Sequence, residues 1–364
     1  MVKNCYRYTL VVYREDGGPL GQYPVEVDWG PASAWSHLAG IRQGRLSPGG
    51  SPASAVVEPV FDTRSGQPYV AGVHLVIVDD QGERFETDVP VSYFAPAADV
   101  VSEALCKEGF LKAGELFRYV TCAYPGEDDG AAPLARTSIS VEEVASPLPL
   151  REARLQTCTE RSEPILTTDE VDIPVFVRRE VLREAAQLSR RAGSLETGGI
   201  LIGHLDIDRS VPDVFLEVTA QIPVGSHARS ELTRLTFTAD TWSAVRDALS
   251  LRKKKEIMLG WWHSHSYMKT TCKDCEKQQE CKATACFMSY ADVALHKTCF
   301  PKAYSVALVV GETLCSGLSW ALFGYRYGLV SSRGFHLMKS GDGSGKAEPE
   351  EPVTSMKGER DDGG

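Results

Sequence analysis

The chain has 364 residues, 43% of them hydrophobic and 24% charged, with a formal net charge of -10. That length accommodates two domains of ordinary size, and the acidic balance excludes a generic nucleic-acid surface, which needs a basic face, while allowing a protein partner. No apolar run is long enough to span a membrane, and MVKNCYRYTLVVYRED at the N-terminus lacks an apolar signal core, so the expected setting is cytoplasmic, away from membranes.

In chain order, residues 1–125 read as a small α+β recognition domain. YTLVVYRE, YPVEVDW, AVVEPVF, VHLVIVDD and RFETDVPV have strand composition. ASAWSHLAGI and DVVSEALCKEGF have helical spacing. Asp80-Gln81-Gly82 is a hairpin-turn signal. The order strand, turn, strand, helix, strand over 72–123 is similar to the first half of a ubiquitin-like β-grasp, and an unrelated small α+β domain fits it equally well. Residues 126–150 are rich in Pro, Gly, Ser and charge and read as a linker.

A second domain is expected over 151–339. IPVFV (173–177) is a strand, and RREVLREAAQLSRRAG is a helix ended by Gly193. TGGILIGHL and VFLEVTAQIPV are strands. LTFTADTWSAVRDALSL is a short strand and then a helix capped near Thr238 or Asp240. EIMLGWWHSH is a buried strand, YADVALH a helix, and AYSVALVVG and SWALFGYRYG are strands. Strands alternating with helices predict an α/β sandwich. Residues 340–364 have almost nothing to bury and read as a disordered acidic tail; its Gly363-Gly364 end resembles the exposed end of ubiquitin-like modifiers, but fits a flexible tail as well.

The chemistry concentrates near one strand end. Side chains alternate along a strand, so His263 and His265 share a face. Ser289 and Asp292, three apart at a helix start, share another. Two imidazoles and a carboxylate make a three-ligand zinc site with one open position, the pattern of catalytic rather than structural zinc. Such an ion lowers the pKa of a bound water towards about 7, and a general base must lie within reach of that water. Glu196, at a helix-to-strand junction before Gly198-Gly199, is the candidate base. Each piece alone has a plainer reading: a surface His pair, a helix cap, a helix end. Their joint occurrence in this order favours the metal site.

The order Glu196 … His263-x-His265 … Ser289-x-x-Asp292 resembles the JAMM signature of the JAB/MPN metalloproteases, over about residues 172–330. The resemblance implies that His263, His265 and Asp292 bind catalytic zinc and that Glu196 activates the water. It also implies that Ser289 hydrogen-bonds the developing oxyanion, and that the substrate is an isopeptide or peptide bond next to a ubiquitin-like tail. Two departures stand out. Ser266 occupies the place where the family usually has proline, and 266–288 is far longer than the family's gap. The rival functions are an inactive MPN scaffold, and an amidase acting on a small molecule or sulfur-carrier adduct.

That long segment contains Cys272, Cys275, Cys281 and Cys286 in an otherwise polar run. Four thiolates in one short loop can close a tetrahedral site, and a polar loop needs a metal to organise it. A second, structural zinc is expected there; an iron–sulfur cluster or disulfides are the alternatives. His296 and Cys299 are spare candidate ligands whose plainer readings are a helix-end histidine and a buried cysteine.

Overall fold

The computed structural model describes residues 2–64, 66–126, 147–193, 195–224, 229–230, 235–265, 286–313 and 317–339. The chain divides into two compact units, Met1–Leu148 with Tyr327–Leu329, and Pro149–Arg326 with Val330–Gly364. Most of the linker, most of the cysteine-rich segment and the acidic tail lie outside the described residues.

Unit 1 runs β1 (Val2–Asn4), β2 (Tyr6–Arg14), β3 (Pro19–Val25), α1 (Gly30–Arg42), β4 (Pro52–Phe61), β5 (Val70–Asp79), β6 (Arg84–Pro90), α2 (Ala95–Lys107) and β7 (Phe117–Pro125). Its strands form two sheets, ordered β1-β4-β5-β6 and β3-β2-β7. Alternation builds the core: Val73, Leu75 and Ile77 on β5 and Leu10 and Val12 on β2 are fully buried. The hairpin turn is held by Asp79, whose Oδ1 accepts from the amides of Gln81 and Glu83 at 3.0 and 2.8 Å.

The β-grasp expectation for 72–123 does not hold. A β-grasp keeps the hairpin and the strand after its helix in one sheet. Here β5 is flanked on both edges, by β4 and β6, so no edge is open beside it. β7 instead takes the edge of β2, antiparallel along Tyr6–Arg14. Thr121, Cys122 and Ala123 are buried there, so the cysteine is a core residue, as its apolar pattern suggests.

Unit 2 runs β8 (Leu150–Glu152), α3 (Leu155–Glu160), β9 (Ser162–Ile165), β10 (Val175–Arg178), α4 (Arg179–Ala192), β11 (Gly198–Asp208), β12 (Asp213–Pro223), β13 (Arg229–Ser230), β14 (Leu235–Thr236), α5 (Ala239–Arg252), β15 (Ile257–His265), α6 (Tyr290–Cys299), β16 (Val306–Thr313), β17 (Gly317–Arg326), β18 (Leu329–Arg333) and β19 (Phe335–Met338). One mixed sheet dominates, ordered β18-β17-β16-β15-β11-β12-β10-β19-β9, with β8 also paired to β11.

Every residue of β11 is buried, because both faces of the sheet are covered. On one face, Trp242, Val245 and Leu249 of α5 and Leu295 and Cys299 of α6 pack against Ile200, Ile202, Trp261 and Ala307. On the other, Gln221 accepts from Trp262 Nε1 and donates to Glu184 of α4. The result is the mixed α/β sandwich that the alternating elements predict. Helix α5 starts at Thr238, which forms a capping box with Thr241. Among the described residues, no helix is long and apolar enough to cross a membrane.

Candidate metal centre

Strand β15 brings two imidazoles to the middle of the sheet. Trp261, His263 and His265 alternate onto one face, and both histidines are buried. Three residues earlier the β11–β15 ladder skips Leu259, because Leu201 faces Gly260 and Ile202 faces Met258. Such a bulge bends a strand and re-aims the side chains beyond it. Gly260 makes it possible, since a Cβ there would collide with the carbonyl of Val306 on β16.

The Nε2 atoms of His263 and His265 lie 3.0 Å apart. Asp292 Oδ2 lies 3.6 Å from His263 Nε2. Among the described residues, these three form the group able to hold a metal, with ligand atoms all within 4.8 Å of one another. Zinc bonds of about 2.0–2.1 Å in a tetrahedron put ligand atoms roughly 3.3 Å apart. The two close separations bracket that distance, and the nitrogen–nitrogen–oxygen donor set is among those zinc takes.

Asp292 arrives through the start of α6. Ser289 is the N-cap: its Oγ accepts from the Asp292 amide at 3.2 Å and donates to Asp292 Oδ2 at 2.7 Å, while its own amide donates to Oδ2 at 2.8 Å. The helix cap that the Ser-x-x-Asp spacing allows is present, and the same Asp292 faces His263. Burial works to raise the Asp292 carboxyl, but the hydrogen bond and charge of His263 and the bonds from Ser289 hold it at about 2. It is an anion aimed at the two imidazoles.

Glu196 approaches from the segment that leads into the neighbouring strand. Gly198 pairs with His263, so the antiparallel register carries Glu196 level with His265 and on the same face. The side chain is buried. Burial, and then the negative charge of Asp292, lifts its carboxyl to about 7. The glycine pair after it closes the strands: a Cβ on Gly199 would sit 2.6 Å from the Ile222 carbonyl oxygen.

Sequence reasoning missed two packing partners. Trp261 stacks on His263 with ring centroids 4.6 Å apart and planes 15° apart. Phe287 lies 4.7 Å from the His265 ring. Strand alternation in GWWHSH was a signal sufficient to find Trp261; Phe287, which follows the cysteine-rich segment, gives none. The spare ligands do not join. His296 is fully buried, accepts from Trp261 Nε1 at 3.1 Å, and is pushed down to about 4 by burial, so it is neutral. Cys299 packs into the Trp261 and Phe300 cluster.

Of the four clustered cysteines, Cys272, Cys275 and Cys281 lie outside the described residues. Cys286 is buried against Val309 and Ala321, with Sγ 3.2 Å from Ser319 Oγ, and burial raises its thiol.

Residues 174–286 match the family model described as JAB1/Mov34/MPN/PAD-1 ubiquitin protease. The chain thus carries a JAB/MPN domain, and Glu196, His263 and His265 lie within the matched range while Ser289 and Asp292 follow it. Among solved structures, the chain is similar to the solution structure of protein DSY2949 from Desulfitobacterium hafniense, at 17% identity and a TM-score of 0.32, covering 46% of this chain and 94% of that one. No curated protein matches the chain.

Proposed function

We propose that unit 2 is a zinc-dependent hydrolase that cuts the isopeptide or peptide bond joining a ubiquitin-like tail to its conjugate. The convergence of His263, His265 and Asp292 beside buried Glu196 carries this reading. A scaffold has no use for such a cluster, since burying ionisable groups costs free energy unless something answers their charge. The family description, a ubiquitin protease, supplies the substrate class.

His263, His265 and Asp292 would hold the ion. Zinc there would supply a Lewis acid that makes water acidic near neutral pH and polarises a carbonyl. Glu196, buried and level with His265 on the same face, takes a proton from the attacking water and returns it to the leaving nitrogen. Ser289 Oγ, hydrogen-bonded to Asp292 at 2.7 Å, would turn its proton to the oxyanion as charge develops.

The test is hydrolysis of ubiquitin-like fusions by the zinc-loaded protein, with Glu196→Gln as control. Glutamine fills the same volume but takes no proton. Turnover is expected to fall about a hundredfold or more with bound zinc unchanged. Full activity in that variant sinks the assignment of the base, and a wild-type protein that binds zinc yet cuts no fusion returns the scaffold reading.

A further inference from the structure

We propose that Ser264, the residue between the two histidines, is a positioning residue that sets Glu196 against the site through the backbone of Thr197. The inference rests on the hydrolase reading above.

The argument begins with the rung beyond the β11–β15 ladder. Gly198 pairs with His263, so Thr197 and Ser264 are next, and Glu196 follows level with His265. In an antiparallel pair, two facing residues of the hydrogen-bonded kind exchange both amide–carbonyl bonds. Only one of these is backbone to backbone here: the Ser264 amide donates to the Thr197 carbonyl at 2.8 Å. The return bond ends on the side chain, since the Thr197 amide donates to Ser264 Oγ at 3.2 Å. The hydroxyl stands in for a carbonyl and closes the last rung before Glu196.

Ser264 is fully buried, and alternation points it away from the face that carries the imidazoles. It therefore touches neither ion nor substrate. Its effect passes to Glu196 through one peptide unit, while His263 and His265 flank it on the same strand. The side chain thus supplies the second of the two bonds that join the base-bearing segment to the ligand-bearing strand on this rung. Base and ligand come from segments far apart in sequence, and a displacement of about 1 Å between reacting groups can cost on the order of a hundredfold in rate.

The experiment compares wild type, Ser264→Ala and Ser264→Thr in the full chain. Three quantities are read: amide hydrogen exchange at Thr197, bound zinc, and kcat and KM on a ubiquitin-like fusion. Ser264→Ala is expected to lose Thr197 protection and about tenfold or more in kcat, with KM and zinc content unchanged. Ser264→Thr keeps the hydroxyl and is expected to restore both protection and kcat. If alanine disturbs folding, Ser264→Cys is read in the same way, because it is nearly isosteric and its sulfur is a weak acceptor. An active wild type together with a Ser264→Ala variant that loses protection but keeps kcat within twofold overturns the proposal alone. So does a kcat loss that tracks loss of zinc. A wild type with no hydrolysis overturns the functional reading instead, and the exchange measurement still reports whether the hydroxyl holds the rung.

Discussion

Two of the ionisable clusters on the sheet of unit 2 differ in what surrounds their carboxylates. In one, Arg151 grips Asp206 through two bonds of 2.6 and 2.8 Å and reaches Glu217 at 2.8 Å, while Arg178 holds the other oxygen of Glu217 at 2.6 Å. In the other, Asp292 is answered by a hydroxyl, an amide and an imidazole, with a second imidazole alongside. The first cluster contains its own cations. The second brings two imidazole nitrogens and a carboxylate oxygen within 4.8 Å of one another. Burial alone therefore does not mark a site; the difference lies in whether carboxylates are matched by guanidinium groups in ion pairs or converge with imidazoles on one point.

The largest effect expected from that contrast follows loss of a metal ligand. His263→Ala or Asp292→Ala should abolish hydrolysis and strip the bound zinc, with the α/β core still folded. Metal counting and a fusion-cleavage assay on each variant check this. Full activity with full metal in either variant removes that residue from the ligand set.

A second effect concerns stability in the metal-free protein. Glu196 has its folded pKa raised, to about 7, by burial and by Asp292. Its protonated form is thus favoured by folding. The stability it contributes is fully present below the ordinary carboxylate range near 4.3 and is lost as pH rises through about 7. The linkage amounts to at most about 4 kcal/mol. Metal-free protein should unfold more easily at pH 8 than at pH 5, and Glu196→Gln should flatten that slope. A slope that survives in the glutamine variant assigns the effect to other groups.

Smaller still is the effect of opening the closed cluster. Burial raises the Asp206 carboxyl even though the hydrogen bonds and charge of Arg151 pull it down, so the pair is costly to bury and its partner is hard to lose. Arg151 is partly exposed, which places the loss for Asp206→Asn below that of a fully buried pair, at about 1–2 kcal/mol. Denaturant unfolding measures it. Zinc content and turnover should not change, and a variant that loses its metal would show that the two clusters are coupled.

The two clusters also differ in how legible they are. His263 and His265 can be placed from sequence because strand periodicity alone puts them on one face, and Ser289 and Asp292 because helix periodicity does the same. Glu196 stands out through the glycine pair that follows it. All of these depend on neighbours within a few residues. The arginine cluster depends on Arg151 meeting Asp206, 55 residues away, through a strand, β8, hidden at the end of a Pro-rich stretch that reads as linker. The Ser264–Thr197 rung depends on strand register, which no local pattern reveals. Unit 1 fails in the same way: its strands and helices are readable, but the partner of β7 depends on which strand edge is already occupied.

The cysteine-rich segment extends the comparison to a third cluster and carries the smallest expected effect on the core. Cys286 is the member whose surroundings are described, and its burial beside Ser319 raises the thiol. A metal held there must repay that desolvation by stabilising the thiolate. If Cys272, Cys275, Cys281 and Cys286 hold a structural zinc, the protein binds two metals per chain and they separate by mutation. Cys272→Ser with Cys275→Ser should remove one ion and leave the one at His263, His265 and Asp292, because that set is complete without thiolates. The melting temperature should shift by no more than a few degrees, since the hydrophobic clusters of the described sheet are built from other residues. Activity should fall mainly through KM, because the set of Glu196, His263, His265 and Asp292 is complete without the cysteines. Metal counting on the double variant decides the matter. One metal per wild-type chain, or loss of both ions together, would show that the cysteines are not an independent site.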